Sequence, residues 1–183
     1  GQVYAVDAAT GSVKWKARSP GGQKEAKFTS RYYAAADASP VIIGERLFMA
    51  DRAYRFGMYD LSGKYLGELG QNITAIALTE DGQRVLARSV DSGLTCYDGE
   101  GKQLWSSNVK LGRFPIPPTQ IGDKIYVCAN RGLLSVLSAA DGKVLWQYQA
   151  TPNLSVMAPV AADAKGNAYV VGMDGSVTRV TQK

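Results

Sequence analysis

Residues 2–15 read QVYAVDAATGSVKW: an alternating apolar run, a turn closing on Gly11, a second short run, and Trp15 four residues past the glycine. The same figure returns as FGMYDLSGKYLG at 56–67, LTCYDGEGKQLW at 94–105 and LSVLSAADGKVLW at 134–146. The turn glycines are Gly11, Gly63, Gly101 and Gly142, and the position four residues on holds Trp15, Gly67, Trp105 and Trp146. All three tryptophans of the chain therefore fall at one repeat position. Each copy reads as two antiparallel strands joined by a tight hairpin, the glycine supplying the positive φ that such a turn requires.

Upstream of each such hairpin lies another. The runs are ASPVIIGERLFMAD at 38–51, ITAIALTEDGQRVLARSVD at 73–91, PPTQIGDKIYVCAN at 117–130 and APVAADAKGNAYVVGMD at 158–174. Gly44, Gly82, Gly122 and Gly166 mark their turns, beside the Asp, Glu or Asn that hairpins prefer. Two hairpins in series give four short strands, A to D, recurring about every 40 residues, which is the period and content of a propeller blade. The expected fold is all-β: a partial β-propeller of four-stranded antiparallel blades. Residues 1–18 supply strands C and D of a first blade, 38–70, 72–109 and 116–150 full blades, and 157–183 strands A to C of the last. One such sheet cannot bury both faces alone, so blades stack and share cores, with a tryptophan on the outer strand as a large anchor. No stretch shows helical periodicity.

Composition narrows the chemistry. Twenty glycines in 183 residues suit frequent turns. The chain has no histidine, which excludes Ser-His-Asp and Cys-His catalysis and any His-ligated metal site. Cys96 and Cys128 form no metal or redox spacing and read as small core residues. The net charge of +5 is scattered rather than blocked, which argues against a nucleic-acid partner, and no apolar run approaches membrane-spanning length. Gly1 opens directly onto Val3-Tyr4-Ala5-Val6, so a chain trimmed from something longer is expected.

The segment Ala5-x-Asp7-x-x-Thr10-Gly11-x-x-x-Trp15 resembles the tryptophan-docking repeat of the pyrroloquinoline-quinone (PQQ)-like propeller family. Later copies match in part, through Asp98, Gly101 and Trp105, and through Gly142 and Trp146; the copy with Gly67 departs from the pattern. In repeat style the chain is also similar to an outer-membrane assembly lipoprotein. The resemblance implies a ring of seven or eight blades, of which about four are present, with a strand from the missing part completing the last blade. It further implies a non-catalytic platform for a protein or ligand, periplasmic or extracellular, within a longer envelope or secreted protein. Two alternatives stay open: a fragment of a PQQ-dependent dehydrogenase, or the accessory propeller of a phosphoesterase or kinase whose catalytic domain lies upstream. The dehydrogenases use an adjacent cysteine pair and calcium held by Glu, Asn and Asp; this chain has no such cysteine pair, so no cofactor is assigned.

In an A-B-C-D blade the D–A and B–C connections emerge on one face. Here they carry Arg31, Arg52, Arg55, Lys110, Arg113 and Arg131 among others, whereas the A–B and C–D turns carry many acids, among them Asp81, Asp98, Asp141 and Asp163. An Arg-rich face suits bidentate contact with carboxylates or phosphates, so the expected partner is another protein or a small anionic ligand. The longest connection, from Lys16 to Asp37, adds Tyr32 and Tyr33, which either anchor a partner or begin the next inner strand. Phe114 is a further candidate on the same face, and Leu154 a weaker one.

Overall fold

The computed structural model describes residues 1–23, 38–91, 93–151 and 155–181. Its strands are β1 (Gln2–Val6), β2 (Val13–Arg18), β3 (Val41–Ile43), β4 (Arg46–Ala50), β5 (Arg55–Asp60), β6 (Tyr65–Gln71), β7 (Ile73–Leu78), β8 (Arg84–Ser89) and β9 (Gly93–Asp98). There follow β10 (Gln103–Ser107), β11 (Thr119–Ile121), β12 (Lys124–Cys128), β13 (Leu133–Ser138), β14 (Val144–Gln149), β15 (Ala161–Ala162), β16 (Ala168–Val171) and β17 (Val177–Val180). They form antiparallel meanders β1-β2, β3-β4-β5-β6, β7-β8-β9-β10, β11-β12-β13-β14 and β15-β16-β17. The first and last sheets do not pair, so the described strands make an open arc of blades, a partial propeller. The one helical element among the described residues is a single 3-10 turn at Pro20–Gly22.

Strand periodicity explains how one chain fills several cores. Along β4, Leu47 and Met49 point to a cluster shared with Val3 and Trp15 of the preceding sheet, while Phe48 and Ala50 point to a cluster with Ile73, Val85 and Ala87 of the next. Along β8, Val85 and Ala87 face back and Leu86 faces forward to Ile125 and Val127. Along β12, Ile125 and Val127 face back, and Tyr126 and Cys128 face forward to Ala168 and Val170. Successive side chains alternate between faces and both faces are covered, so these inner strands read as near-continuous apolar runs. Aromatic contacts tie neighbours together, as where Phe56 meets Tyr97 of the next sheet edge-on at 5.3 Å.

The tryptophans join blade to blade. Trp15 on β2 lies over Gly63 in the β5–β6 turn of the next sheet, and its Nε1–H donates to the Leu61 carbonyl at 2.8 Å. Trp105 on β10 lies in the same way over Gly142 in the β13–β14 turn. A methyl group on Gly63 would stand 2.6 Å from Trp15 Cε3, and one on Gly142 2.8 Å from Trp105 Cζ3, so the ring needs a residue without Cβ there. Between these two junctions Gly67 replaces tryptophan, yet the slot is filled. Leu69, the extra residue of a bulge between Phe56 and Gly57 in the β5–β6 pairing, reaches the turn glycine Gly101 together with Met58. Trp146 packs on the cluster of Tyr126, Val136 and Val170; the sheet beyond it contributes β15 to β17 only.

Buried titratable groups make the fold sensitive to alkali. Burial pushes the thiols of Cys96 and Cys128 from 9.0 up to about 11, and raises Tyr59, Tyr65, Tyr97 and Tyr126 above the usual phenol value. The unfolded chain thus releases these protons first, and stability falls as pH rises from 9 toward 11, by about 2 kcal/mol for each thiol. With no histidine, urea midpoints are expected to be flat between pH 5 and 8 and to drop above pH 9. A midpoint unchanged at pH 10.5 would show that these groups are not buried as described.

Candidate interaction face

The turns on the two faces of the arc treat their charges differently. On the A–B and C–D side, acids serve the backbone: Asp60 Oδ1 accepts N–H bonds from Ser62 at 2.9 Å and Lys64 at 3.0 Å, and Asp98 Oδ1 from Glu100 at 3.0 Å and Lys102 at 2.9 Å. Asp81 and Asp163 do the same in their own turns. Hydrogen bonds lower the carboxyls of Asp60, Asp81 and Asp163 below the usual value. Much of that face's acidity is turn chemistry.

On the opposite side the arrangement is mixed. Arg55 is held by Glu68 across its own hairpin, at 3.0 and 3.1 Å, so this arginine is already paired. Arg52, in the same turn, is exposed. Asp51 beside it is buried and organises the turn: Oδ1 accepts from the N–H of Ala53 and Arg55, and Oδ2 from Gly21 at 2.7 Å. Pro20–Gly22 is thereby fastened over β5, where Tyr59 also donates to the Arg18 carbonyl at 2.7 Å. Arg31, Tyr32, Tyr33 and Leu154 lie outside the described residues.

The whole β7–β10 sheet separates this turn from a second basic group. Lys110, Arg113 and Arg131 are exposed, and among the described residues none has a carboxylate partner. Lys110 and Arg131 line one cleft of about 440 Å³, between the β10–β11 connection and the β12–β13 turn. Phe114 is half-buried against the last core cluster rather than projecting, and its N–H donates to Asn130 Oδ1 at 3.0 Å.

Beneath this cleft lies a residue that the repeat pattern did not single out. Arg88, at the end of β8, is fully buried, and its guanidinium donates to the carbonyls of Leu111 at 2.5 Å, Cys128 at 2.9 Å and Ile116 at 3.3 Å. Desolvation lowers its pKa to about 10. It therefore stays charged at neutral pH and staples the β7–β10 sheet to the β10–β11 connection and to β12. The signal was present in the repeat: β8–β9 register places Arg88 where other blades have Ala50, Cys128 and Val171.

The described residues do not fit a quinone with its calcium. Cys96 and Cys128 occupy different inter-sheet cores, with thiols shifted away from ionisation, and among the described residues no three acids or thiols are grouped to hold a metal.

Comparison with known proteins agrees with this geometry. The chain is 25% identical to the outer membrane protein assembly factor BamB of Escherichia coli over 191 residues, covering all of this chain and 46% of that protein. It is 31% identical to that of Burkholderia pseudomallei over 100 residues, 49% of this chain and 26% of that protein. The chain thus spans less than half the length of these relatives. The crystal structure of BamB from Moraxella catarrhalis superposes with a TM-score of 0.70 at 20% identity, covering 98% of this chain and 52% of that one. The WD40 propeller of Doa1 superposes with a TM-score of 0.65 at 14% identity, covering 82% of this chain and 52% of that one, a likeness of fold alone. A family model described as outer membrane protein assembly factor BamB matches residues 1–183, and with the docked Trp15 and Trp105 this places the chain in the BamB family of PQQ-like propeller repeats.

Proposed function

We propose that this chain is part of a non-catalytic propeller that acts in the periplasm, in outer-membrane protein assembly, by holding a protein partner on its D–A and B–C face. The observation that carries the reading is the contrast between the faces. Asp60, Asp81, Asp98 and Asp163 on one side are spent on their own turns, whereas Lys110, Arg113 and Arg131 on the other are exposed with no ion partner among the described residues. Unpaired cations on pinned connections suit recognition of carboxylates on another protein. Arg52 on its own turn, and Arg31, Tyr32 and Tyr33 on the connection between the first two sheets, are further candidate anchors. The relatives' description as outer membrane protein assembly factors supports the process, and the exposed cations support the face.

The test is deletion of the encoding gene in its own organism, with folded outer-membrane β-barrel proteins quantified by mass spectrometry. The reading expects their amounts to fall and to recover when the intact gene is restored. Unchanged amounts would refute the assembly role.

A further inference from the structure

The cleft at Lys110 and Arg131 differs from the equivalent places on the other blades. The β12–β13 turn reads Asn130-Arg131-Gly132, where the matching turns read Asp91-Ser92-Gly93 and Met173-Asp174-Gly175. Against these two an acid has been lost and a cation gained; the β4–β5 turn also carries a cation, Arg52, but beside the buried carboxylate of Asp51. The preceding connection is long, as it is before β15 but not before β7. Between β6 and β7 only Asn72 intervenes, whereas between β10 and β11 the chain runs from Asn108 to Pro118 and builds a second wall.

The walls are fixed before any ligand arrives. Asn130 N–H donates to the Leu111 carbonyl at 3.0 Å, Asn130 Oδ1 accepts from Phe114 N–H at 3.0 Å, and Gln149 Nε2 donates to the Arg131 carbonyl at 2.6 Å. Arg88 grips the Leu111 carbonyl from below and adds a fixed positive charge under the floor. Leu133 gives the cleft an apolar lining over the buried Leu111, and among the described residues no carboxylate borders it and the side-chain N–H₂ of Asn130 has no acceptor. Such a site favours an anionic group attached to apolar matter. Its volume, about 440 Å³, is in the range that holds several residues' worth of ligand and is generous for a lone phosphate.

We infer that this cleft binds an acidic peptide segment of a partner protein, a carboxylate lying between Lys110 and Arg131 and an aliphatic side chain resting on Leu133. The inference rests on the reading of this face as an interaction surface and names the kind of chain it takes. Arg131 offers the planar fork that carboxylates accept, while Lys110 contributes a second, mobile charge.

The experiment is titration of the isotopically labelled full-length protein with N-acetylated, C-amidated Leu-Asp-Leu-Glu-Leu, followed by amide chemical shifts. The expected shifts concentrate at Gly112, Asn130, Arg131, Leu133 and Gln149. The double variant K110E/R131E is expected to weaken binding at least tenfold with its unfolding midpoint unchanged, both side chains being exposed. K110Q/R131Q gives the same reading should the reversal impair folding. A peptide with Lys for Asp and Glu is expected not to bind, and inorganic phosphate not to displace the acidic one. Shifts elsewhere on the surface, undiminished binding by the variants, equal binding of the lysine peptide, or displacement by phosphate would each overturn the inference. Gene deletion that lowers outer-membrane proteins, with rescue by K110E/R131E and no peptide binding by the unmodified protein, would sink the cleft and leave the assembly role standing.

Discussion

Replacing Arg88 with alanine is expected to lower stability by about 4 kcal/mol, read as a shift in urea midpoint at constant slope. The guanidinium satisfies the carbonyls of Leu111, Cys128 and Ile116 in a site with no water access, and each charged-donor bond of this kind is worth about 1.5–3 kcal/mol. The gross sum is offset by the cost of burying the charge, which the lowered pKa records. Removing the donor alone deprives the Cys128 and Ile116 carbonyls of this partner and leaves the Leu111 carbonyl with the Asn130 N–H alone, in a site closed to water. For that reason Arg88→Met, which refills most of the volume, is expected to recover less than half of the loss. Recovery to near wild type would mean that Arg88 serves as filler and the carbonyls are indifferent to it.

Trp105→Ala is expected to cost about 3 kcal/mol, the lower part of the range for emptying a large aromatic site, because the residue is only partly buried. The loss should be felt at the junction it seals, in faster amide exchange of β9, β10, β13 and β14, before the outer sheets respond. Leu69 already fills the corresponding slot one blade earlier, so Trp105→Leu is expected to retain part of the stability. A cost below about 1 kcal/mol for the alanine variant would mean that the indole does not join the blades.

The propeller was legible in the sequence because its signals are local. Hairpin glycines, alternating strands and a tryptophan four residues past each C–D turn all lie within about 15 residues of one another, so the fold class could be read without any long-range contact. Leu69 was not legible. Its place in the docking slot depends on a bulge that shifts the register after Gly67, and nothing in GELG announces a bulge. Arg88 had a visible signal, a charge at a repeat position held elsewhere by Ala50, Cys128 and Val171, but only alignment of the B strands exposes it. The candidate face was legible as a set of cations and not as a geometry. Sequence cannot say that Arg55 is taken by Glu68. Nor can it say that Phe114 turns inward, or that Asp51 is a buried turn-former rather than a surface acid. Those outcomes turn on which side chain meets which across a hairpin or a blade junction.

The most direct test of the account compares two alanine substitutions at glycines of nearly equal backbone conformation. Gly82 (φ 67) and Gly142 (φ 70) both sit in tight turns, so each alanine bears the strain of a left-handed residue, about 1 kcal/mol. They differ in surroundings: a methyl on Gly82 meets nothing within 4 Å, whereas one on Gly142 runs into the Trp105 ring. If tryptophan docking on the neighbouring turn holds the blades together, Gly142→Ala should cost about 3 kcal/mol and Gly82→Ala about 1 kcal/mol in urea unfolding. Equal costs for the two would contradict it.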